Sequence, residues 1–179
     1  MELTKHFAAD VYEQALEEWG WIGLDGKTPL MTSLFGDVFL RDDEGCWYLD
    51  VVRGTLDRLW PDEAAMHDAL EADDVRDRLL LAPLVDAAQG RGLRLKGDEV
   101  FDFTISPVVG GSLESDNMTP MSFVVAVDMA GQLHGQLRDV PDGTPIKGFR
   151  PGAHRTRPRR EAKVSVGQAN VPKRKWFRG

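Results

Sequence analysis

The side chains that commonly perform catalysis or bind metals are scattered along this chain without a recognisable catalytic spacing. Its four histidines show neither HxH nor HxxxH spacing, so a metal site would need ligands from distant segments. There is no GxSxG nucleophile elbow. The single cysteine, Cys46, stands in an apolar run beside Trp47, where cysteine usually behaves as a small buried hydrophobic residue. The sequence therefore predicts no enzyme, no metal site and no cofactor.

One glycine-rich stretch, SPVVGGSLESDNMTPMSF at residues 106–123, invites comparison with phosphate-binding loops. A Walker loop places Lys and then Ser or Thr behind its last glycine, whereas Ser112 and Leu113 follow Gly111 here. A dinucleotide-binding loop needs GxGxxG between a strand and a helix, and only one adjacent glycine pair occurs. We therefore expect Gly110 and Gly111 to form a bend between strands, with dihedral angles that other residues avoid.

The charge of the chain is divided unevenly. Residues 1–146 hold 11 basic and 28 acidic side chains, a formal charge of −17, whereas residues 147–179 hold 11 basic and one acidic side chain, a charge of +10. An acidic body repels nucleic acid and attracts basic protein surfaces. Its acids concentrate at residues 42–44, 71–77 and 114–116, either as solvated charges or as contacts for a basic partner. From charge and expected loop position, the predicted partner-binding residues are Asp42, Asp43, Glu44, Glu114, Asp116 and Asn117.

Hydrophobic periodicity predicts the elements of the N-terminal half. Apolar residues recur every four positions from Leu3 to Ala15, which predicts a helix from about residue 4, with Thr4 as N-cap, to residue 19. The DDEG turn predicts a hairpin between two strands, and a short third strand is expected after Gly54. Helical spacing interrupted by Pro83 predicts two or three short helices between residues 61 and 92.

A period of two predicts strands in the C-terminal half. Phe101, Phe103 and Ile105 alternate with polar residues, and the apolar run at 121–129 is typical of a strand buried on both faces. A further strand after an Ala-Gly turn would place His134 on its polar face. The order helix, strands, helices, strands predicts an α+β fold: a mainly antiparallel sheet with an N-terminal helix and a central helical segment.

Composition divides the chain at about residue 146. Residues 1–146 are predicted to form one α+β domain, and residues 147–179 a basic C-terminal extension, rich in Pro, Gly and Arg, with little apolar surface to bury. This extension has three interpretations: an arm that touches DNA or the acidic body, an arm that anchors on a partner through Trp176 and Phe177, or a segment foreign to the natural protein. Because the sequence has neither a secretory signal nor a long apolar run, we expect a cytoplasmic protein.

Five stretches of the chain, taken together and in order, carry a family resemblance. They are WGWIGLDGKTPLMTSLFGDVFL, GCWYLDVVRGTL, DRLLLAPLV, FDFTISPVVGGSLESDNMTP and GQLHGQLRDVPDGTP. Over about residues 5–146 the sequence resembles the immunity proteins of type VI secretion DNase effectors. Those proteins combine a GAD-like N-terminal region with a C-terminal domain that was long of unknown function. Residues 147–179 match nothing in that pattern.

The resemblance implies a cytoplasmic protein that binds a cognate toxin, a nuclease delivered between competing bacteria. It implies inhibition by stoichiometric occlusion of the active site or of the DNA path, without turnover. The alternative is a regulatory antitoxin that binds nucleic acid through the basic C-terminal extension; direct nucleic-acid binding by the acidic body is not expected. A hydrolase that reverses a toxin's modification is a third class, and it would require converging titratable groups that the sequence does not display.

Overall fold

An antiparallel five-stranded sheet forms the centre of the protein. The structure is a computed structural model, and it describes residues 2–141. The strands lie side by side in chain order, and each pairs with its neighbour in the antiparallel sense. They are β1 (Thr4–Lys5), β2 (Thr28–Ser33), β3 (Val38–Asp42), β4 (Gly45–Asp50) and β5 (Thr55–Trp60). The predicted hairpin is β3–β4, and the predicted short strand after Gly54 is β5.

Helices cover both faces of this sheet, which confirms the predicted α+β class. One face carries α1 (Ala9–Ala15), the 3-10 helix Glu17–Ile22 and α5 (Phe123–Leu137). The other face carries α2 (Glu63–Leu70), α3 (Asp73–Leu79) and α4 (Ala82–Gly90), where two or three short helices were predicted between residues 61 and 92. A two-stranded antiparallel ribbon, β6 (Glu99–Phe103) with β7 (Met118–Ser122), contributes side chains to both layers.

Strand alternation sends apolar side chains to two clusters, one on each face of the sheet. In β4, Cys46 and Tyr48 belong to the cluster beneath α2 and α4, whereas Leu49 belongs to the cluster beneath α1 and α5. Cys46 is buried with a free thiol, as its apolar surroundings predicted. Most acidic side chains of the connecting turns and helix ends lie at the surface, whereas Asp37, in the turn between β2 and β3, is buried.

The predicted N-terminal helix over residues 4–19 is wrong at its start. Thr4 and Lys5 form β1 and pair with Ser33 and Thr32, so Thr4 is not an N-cap. The four-residue period was misleading because its members do not share one face: Leu3 packs in the cluster under α2 and α4, while the later positions pack under α5. The unsatisfied backbone groups of β2 offer β1 a partner, which outweighs the helical pattern.

The two strands predicted beyond residue 121 are also wrong, because most of that segment is the single helix α5. A continuous apolar run is compatible with a buried strand or a buried helix, and here the helix is packed between α1 and the 3-10 helix Glu17–Ile22. His134 therefore does not lie on the polar face of a strand. It is buried, and its Nε2 lies 3.0 Å from the backbone oxygen of Val51.

Within residues 2–141, no helix combines the length and the apolar character that a bilayer-spanning segment requires. The longest of them, α5, extends from Phe123 to Leu137 and is packed within the domain.

Candidate interaction surface

The first acidic cluster lies at the tip of the β3–β4 hairpin. Asp42 holds the turn: its Oδ1 accepts hydrogen bonds from the backbone N–H groups of Glu44 at 2.9 Å and Gly45 at 3.2 Å. Its Oδ2 lies 3.1 Å from the ammonium of Lys27, and only 15% of its side chain is exposed. Asp43 and Glu44 are exposed. Of the three predicted contact residues here, Asp43 and Glu44 are therefore open to a partner, whereas Asp42 is already paired.

The surroundings of Asp42 favour its ionised form. The pKa of the Asp42 carboxyl is lowered to about 2 by the nearby indole N–H of Trp47, the ammonium of Lys27 and the backbone N–H of Glu44. The indole N–H lies outside strict hydrogen-bond geometry. The same ammonium lies 4.0 Å from the centroid of the Trp47 ring. Asp42 thus carries a permanent charge at neutral pH, but one that Lys27 balances locally.

The second acidic cluster surrounds the junction of α2 and α3. Its four carboxylates are exposed, and Asp73 lies only at the limit of an ion pair, 4.0 Å from Arg76. The members of this cluster are Glu71, Asp73, Asp74 and Asp77. Exposed ion pairs one helical turn apart contribute little energy, so these carboxylates remain available to a basic partner.

The third cluster lies on the loop that joins β6 to β7, and Asn117 closes this loop. Its Nδ2 donates to the backbone oxygens of Ile105 at 2.7 Å and Ser112 at 2.8 Å, and its Oδ1 accepts from the backbone N–H of Ile105 at 2.9 Å. Glu114 and Asp116 project from the loop as exposed carboxylates, and within residues 2–141 neither forms an ion pair. The amide of Asn117 is therefore engaged within the loop, and its contact with a partner stays a prediction.

The glycine pair allows the loop to fold back on itself. Gly110 has a φ of +103°, in the region that favours glycine, and a Cβ on Gly111 would collide with the backbone oxygen of Ile105. The 3-10 helix Pro107–Val109, which precedes the glycine pair, and a hydrogen bond from Gly111 N–H to the backbone oxygen of Ser106 complete the bend. The predicted bend is present, although Gly111 is required by close approach rather than by its dihedral angles.

We expect Gly111→Ala to open this loop. Because the added methyl group cannot coexist with the backbone oxygen of Ile105, the free energy of unfolding should fall by roughly 1–3 kcal/mol. Amide hydrogen exchange should accelerate selectively at Ile105 and Gly111. Gly90→Ala is the control, since a Cβ there meets open space at the end of α4. Unchanged exchange at Ile105 in the Gly111 variant would show that the loop is not held as described.

The three acidic clusters belong to one chain of packed elements. The β3–β4 hairpin contacts α2, and the Arg41 guanidinium in the hairpin lies 2.6 Å from Glu63 of α2. Successive contacts then join α2 to α3, α3 to α4, and α4 to the 3-10 helix Ser115–Asn117 of the third cluster. A guanidinium N–H of Arg91 donates to the backbone oxygen of Ser115 at this last junction. Each acidic cluster is thus fixed to the helical layer over the same face of the sheet.

A cleft of about 400 Å³ is lined by residues that include Lys5, His6, Arg94 and Phe101. Its lysine is already used, since Lys5 Nζ donates to the backbone oxygens of Lys96 at 2.7 Å and Glu99 at 2.6 Å. Burial lowers the pKa of this ammonium. No group of three or more potential metal ligands occurs within residues 2–141.

Comparison with known proteins connects this geometry to a family. Residues 65–134 match the family model described as "T6SS immunity protein Tdi1, C-terminal". Among solved structures, the chain is similar to the crystal structure of Atu4351 from Agrobacterium tumefaciens, with a TM-score of 0.51 and 15% sequence identity. The alignment covers 73% of this chain and 66% of that chain, slightly less than two thirds of its length. No curated protein matches the sequence significantly.

The structural similarity supports the fold, and the family match shows what residues 65–134 are similar to. The matched stretch includes α2 to α4, the β6–β7 ribbon, the loop closed by Asn117 and most of α5. It therefore contains the second and third acidic clusters. Over residues 65–134 the chain is therefore similar to the family described as T6SS immunity protein Tdi1, C-terminal, and this confirms the resemblance that the sequence motifs indicated.

Proposed function

We propose that this chain is an immunity protein that binds a cognate type VI secretion toxin, a DNase, and neutralises it. The observation that carries the proposal is the family match over residues 65–134. In this proposal residues 1–146 are the inhibitory domain, residues 147–179 are a basic extension outside the described residues, and the protein acts in the cytoplasm, where an incoming nuclease meets the chromosome.

The charge of the body supports a nuclease as the partner. An enzyme that acts on DNA must present basic side chains where the phosphate backbone lies. The acidic body of this chain, with its formal charge of −17 over residues 1–146, is complementary to such a surface. Complementary charge accelerates the encounter of two proteins and suppresses wrong partners.

The proposed mechanism is occlusion by binding, without chemistry. The exposed carboxylates of the hairpin and of the β6–β7 loop would take the place of DNA phosphates on the toxin surface, and the folded domain behind them would exclude DNA from the cleft. The residues proposed to contact the toxin are Asp42, Asp43, Glu44, Glu114, Asp116 and Asn117. Among these, the four that are both exposed and acidic are expected to dominate the electrostatic attraction.

The proposal is tested by co-expression with the effector encoded beside this gene. Size-exclusion chromatography should yield a stable complex, and purified immunity protein should block plasmid nicking by the effector at a one-to-one ratio. If the two proteins do not form a complex, and the isolated chain binds DNA with an affinity that falls steeply with salt, the regulatory alternative is favoured. In that case removal of residues 147–179, with their charge of +10, should abolish DNA binding.

Charge reversal within the acidic clusters should weaken the complex. We expect Glu114→Lys with Asp116→Lys to raise the Kd for the effector by about 10- to 100-fold, mainly by slowing association, and the loss should shrink at high salt. Asp43→Lys with Glu44→Lys should behave in the same way. Kinetics by surface plasmon resonance at two salt concentrations make the measurement.

The matched control reverses two exposed acids of the opposite helical layer, Glu13 and Glu17. This double variant has the same change in net charge as each test variant, so it reports the non-specific effect of total charge. If reversal in each of the three acidic clusters in turn left the Kd no different from this control, electrostatic recognition through these clusters would be wrong.

A further inference from the structure

The loop between β6 and β7 displays a set of apolar side chains that the core does not use. Ile105 is 56% exposed, and Pro107, Val108 and Val109 are half-buried. None of the four packs into either of the two apolar clusters described for residues 2–141. One exposed aliphatic side chain is ordinary, but four within five positions form a local apolar surface.

This apolar surface is held in one shape by the bonds that close the loop. Asn117 fixes both backbone groups of Ile105, at 2.9 Å and 2.7 Å, and the Thr104 N–H donates to the backbone oxygen of Asn117 at 2.8 Å. Gly111 lies against the backbone of Ile105 so closely that no side chain fits there. A side chain on such a loop loses little further freedom when it binds, which favours affinity.

Acidic residues flank the apolar surface on the same loop. Glu114 and Asp116 are exposed and, within residues 2–141, lack ion pairs. Arg91 is bonded at the base of the loop to the backbone oxygen of Ser115, not to either carboxylate. An apolar centre with a charged rim is the arrangement in which a few central side chains carry most of the binding energy of an interface.

We infer that this loop, residues 104–117, inserts Ile105 with Val108 and Val109 into an apolar socket on the toxin, within the basic surface that binds the acidic clusters. This inference rests on the proposed function and adds to it the apolar anchor of the interface. Within the contact set proposed above, Asn117 acts as a positioning residue, because its amide presents Ile105 to the toxin.

Charge identifies the occupant as a basic protein rather than a second copy of this chain. Two copies meeting through this loop would bring Glu114 and Asp116 of each close to the acidic body of the other, and like charges at an interface oppose association. Nucleic acid is disfavoured for the same reason. A basic protein surface with an apolar depression is complementary both to the acidic rim and to the apolar centre of the loop.

The experiment measures binding of Ile105→Asp to the catalytically inactivated effector encoded beside this gene, by isothermal titration calorimetry. Leu59→Asp is the matched control, because Leu59 is 43% exposed and lies on β5, away from the loop. We expect the Kd of Ile105→Asp to rise at least about 30-fold with an unchanged Tm, while Leu59→Asp binds within about threefold of the wild type. Asn117→Ala should accelerate dissociation and leave the association rate unchanged.

The experiment distinguishes failure of the proposed function from failure of the inference about the loop. If wild-type protein does not bind the effector, the proposed function is wrong and the inference falls with it. If the wild type binds and Ile105→Asp binds equally well, the loop is not the anchor, although the immunity function stands. If light scattering shows that the wild type is a dimer and Ile105→Asp is a monomer, the loop contacts a second copy, and its assignment to the toxin is overturned.

Discussion

Replacing Trp19 with alanine is expected to lower the free energy of unfolding by about 3–5 kcal/mol, the range for removal of a large buried aromatic side chain. Trp19 has no exposed surface, and its Nε1 donates to the backbone oxygen of Val127 in α5 at 2.8 Å. Its ring lies 5.7 Å from that of Trp21 and 5.6 Å from that of His134. The side chain therefore joins the 3-10 helix Glu17–Ile22 to the longest helix of the fold.

The effect should be large because α5 is shaped to receive this indole. A Cβ on Gly131 would lie only 2.8 Å from the Trp19 ring, and one on Gly135 would lie 3.1 Å from Trp21. Two glycines one helical turn apart thus give both tryptophans close access to the helix backbone. An alanine at position 19 would leave a cavity that these rigid neighbours cannot fill, which adds to the lost transfer free energy.

Urea denaturation followed by circular dichroism tests this prediction. Trp19→Phe should cost less than Trp19→Ala, because it keeps an aromatic ring. It still loses the hydrogen bond to the backbone oxygen of Val127, which contributes about 1 kcal/mol. Glu17→Ala, an exposed neighbour in the same 3-10 helix, serves as the control and should stay within about 0.5 kcal/mol of the wild type. A loss of less than about 1 kcal/mol for Trp19→Ala would contradict the packing argument.

The parts of the fold that were predictable from sequence are those set by neighbouring residues. The β3–β4 hairpin follows from its four-residue turn, and α2 begins where Asp62 caps it through a 2.8 Å hydrogen bond to Ala65 N–H. In contrast, β1 exists because it pairs with β2, almost 30 residues away in sequence, and α5 is a helix because of what packs against it. Such tertiary contacts outweigh local periodicity.

The candidate site was predictable to the same extent. Enrichment in acids is local, so Asp43, Glu44, Glu114 and Asp116 were recognised as exposed carboxylates from their charge and expected loop position. The alternation with Phe101 and Phe103 suggested a core position for Ile105, but β6 ends at Phe103 and Ile105 is exposed. The closure of the loop by Asn117 joins residues 12 positions apart, and no sequence period records it.

A buried carboxyl in the turn between β2 and β3 makes the stability of this protein depend on pH. Asp37 is 2% exposed; its Oδ2 accepts from Ser33 Oγ at 2.7 Å and its Oδ1 from the backbone N–H of Val51 at 2.9 Å. Burial, followed by the charge of Asp50, raises the pKa of Asp37 to about 7, although the two hydrogen bonds oppose this change. Burial also raises the pKa of Asp50.

The direction of the pH dependence follows from the pH at which Asp37 loses its proton in the folded and in the unfolded state. In the unfolded chain Asp37 loses its proton near pH 4, whereas in the folded protein it keeps the proton up to about pH 7. Between these values the folded state binds more protons, so the free energy of unfolding falls as the pH rises. Asp50 acts in the same direction. A rise in the pKa of Asp37 from 3.8 to about 7 corresponds to about 4 kcal/mol, and this loss of stability is complete once the pH exceeds the folded-state pKa.

We therefore expect wild-type protein to be more stable at pH 5 than at pH 8, and Asp37→Asn to remove most of this difference. Asparagine resembles the protonated carboxyl in size and cannot ionise. The free energy of unfolding of Asp37→Asn should therefore increase relative to that of the wild type as the pH rises. Urea denaturation of both proteins at half-unit intervals from pH 5 to 8 makes the comparison. Asp25→Asn, at an exposed carboxylate, controls for the loss of one formal charge. Parallel profiles for the wild type and Asp37→Asn would mean that Asp37 is already ionised at pH 5 in the folded protein, against its burial between Ser33 and Val51.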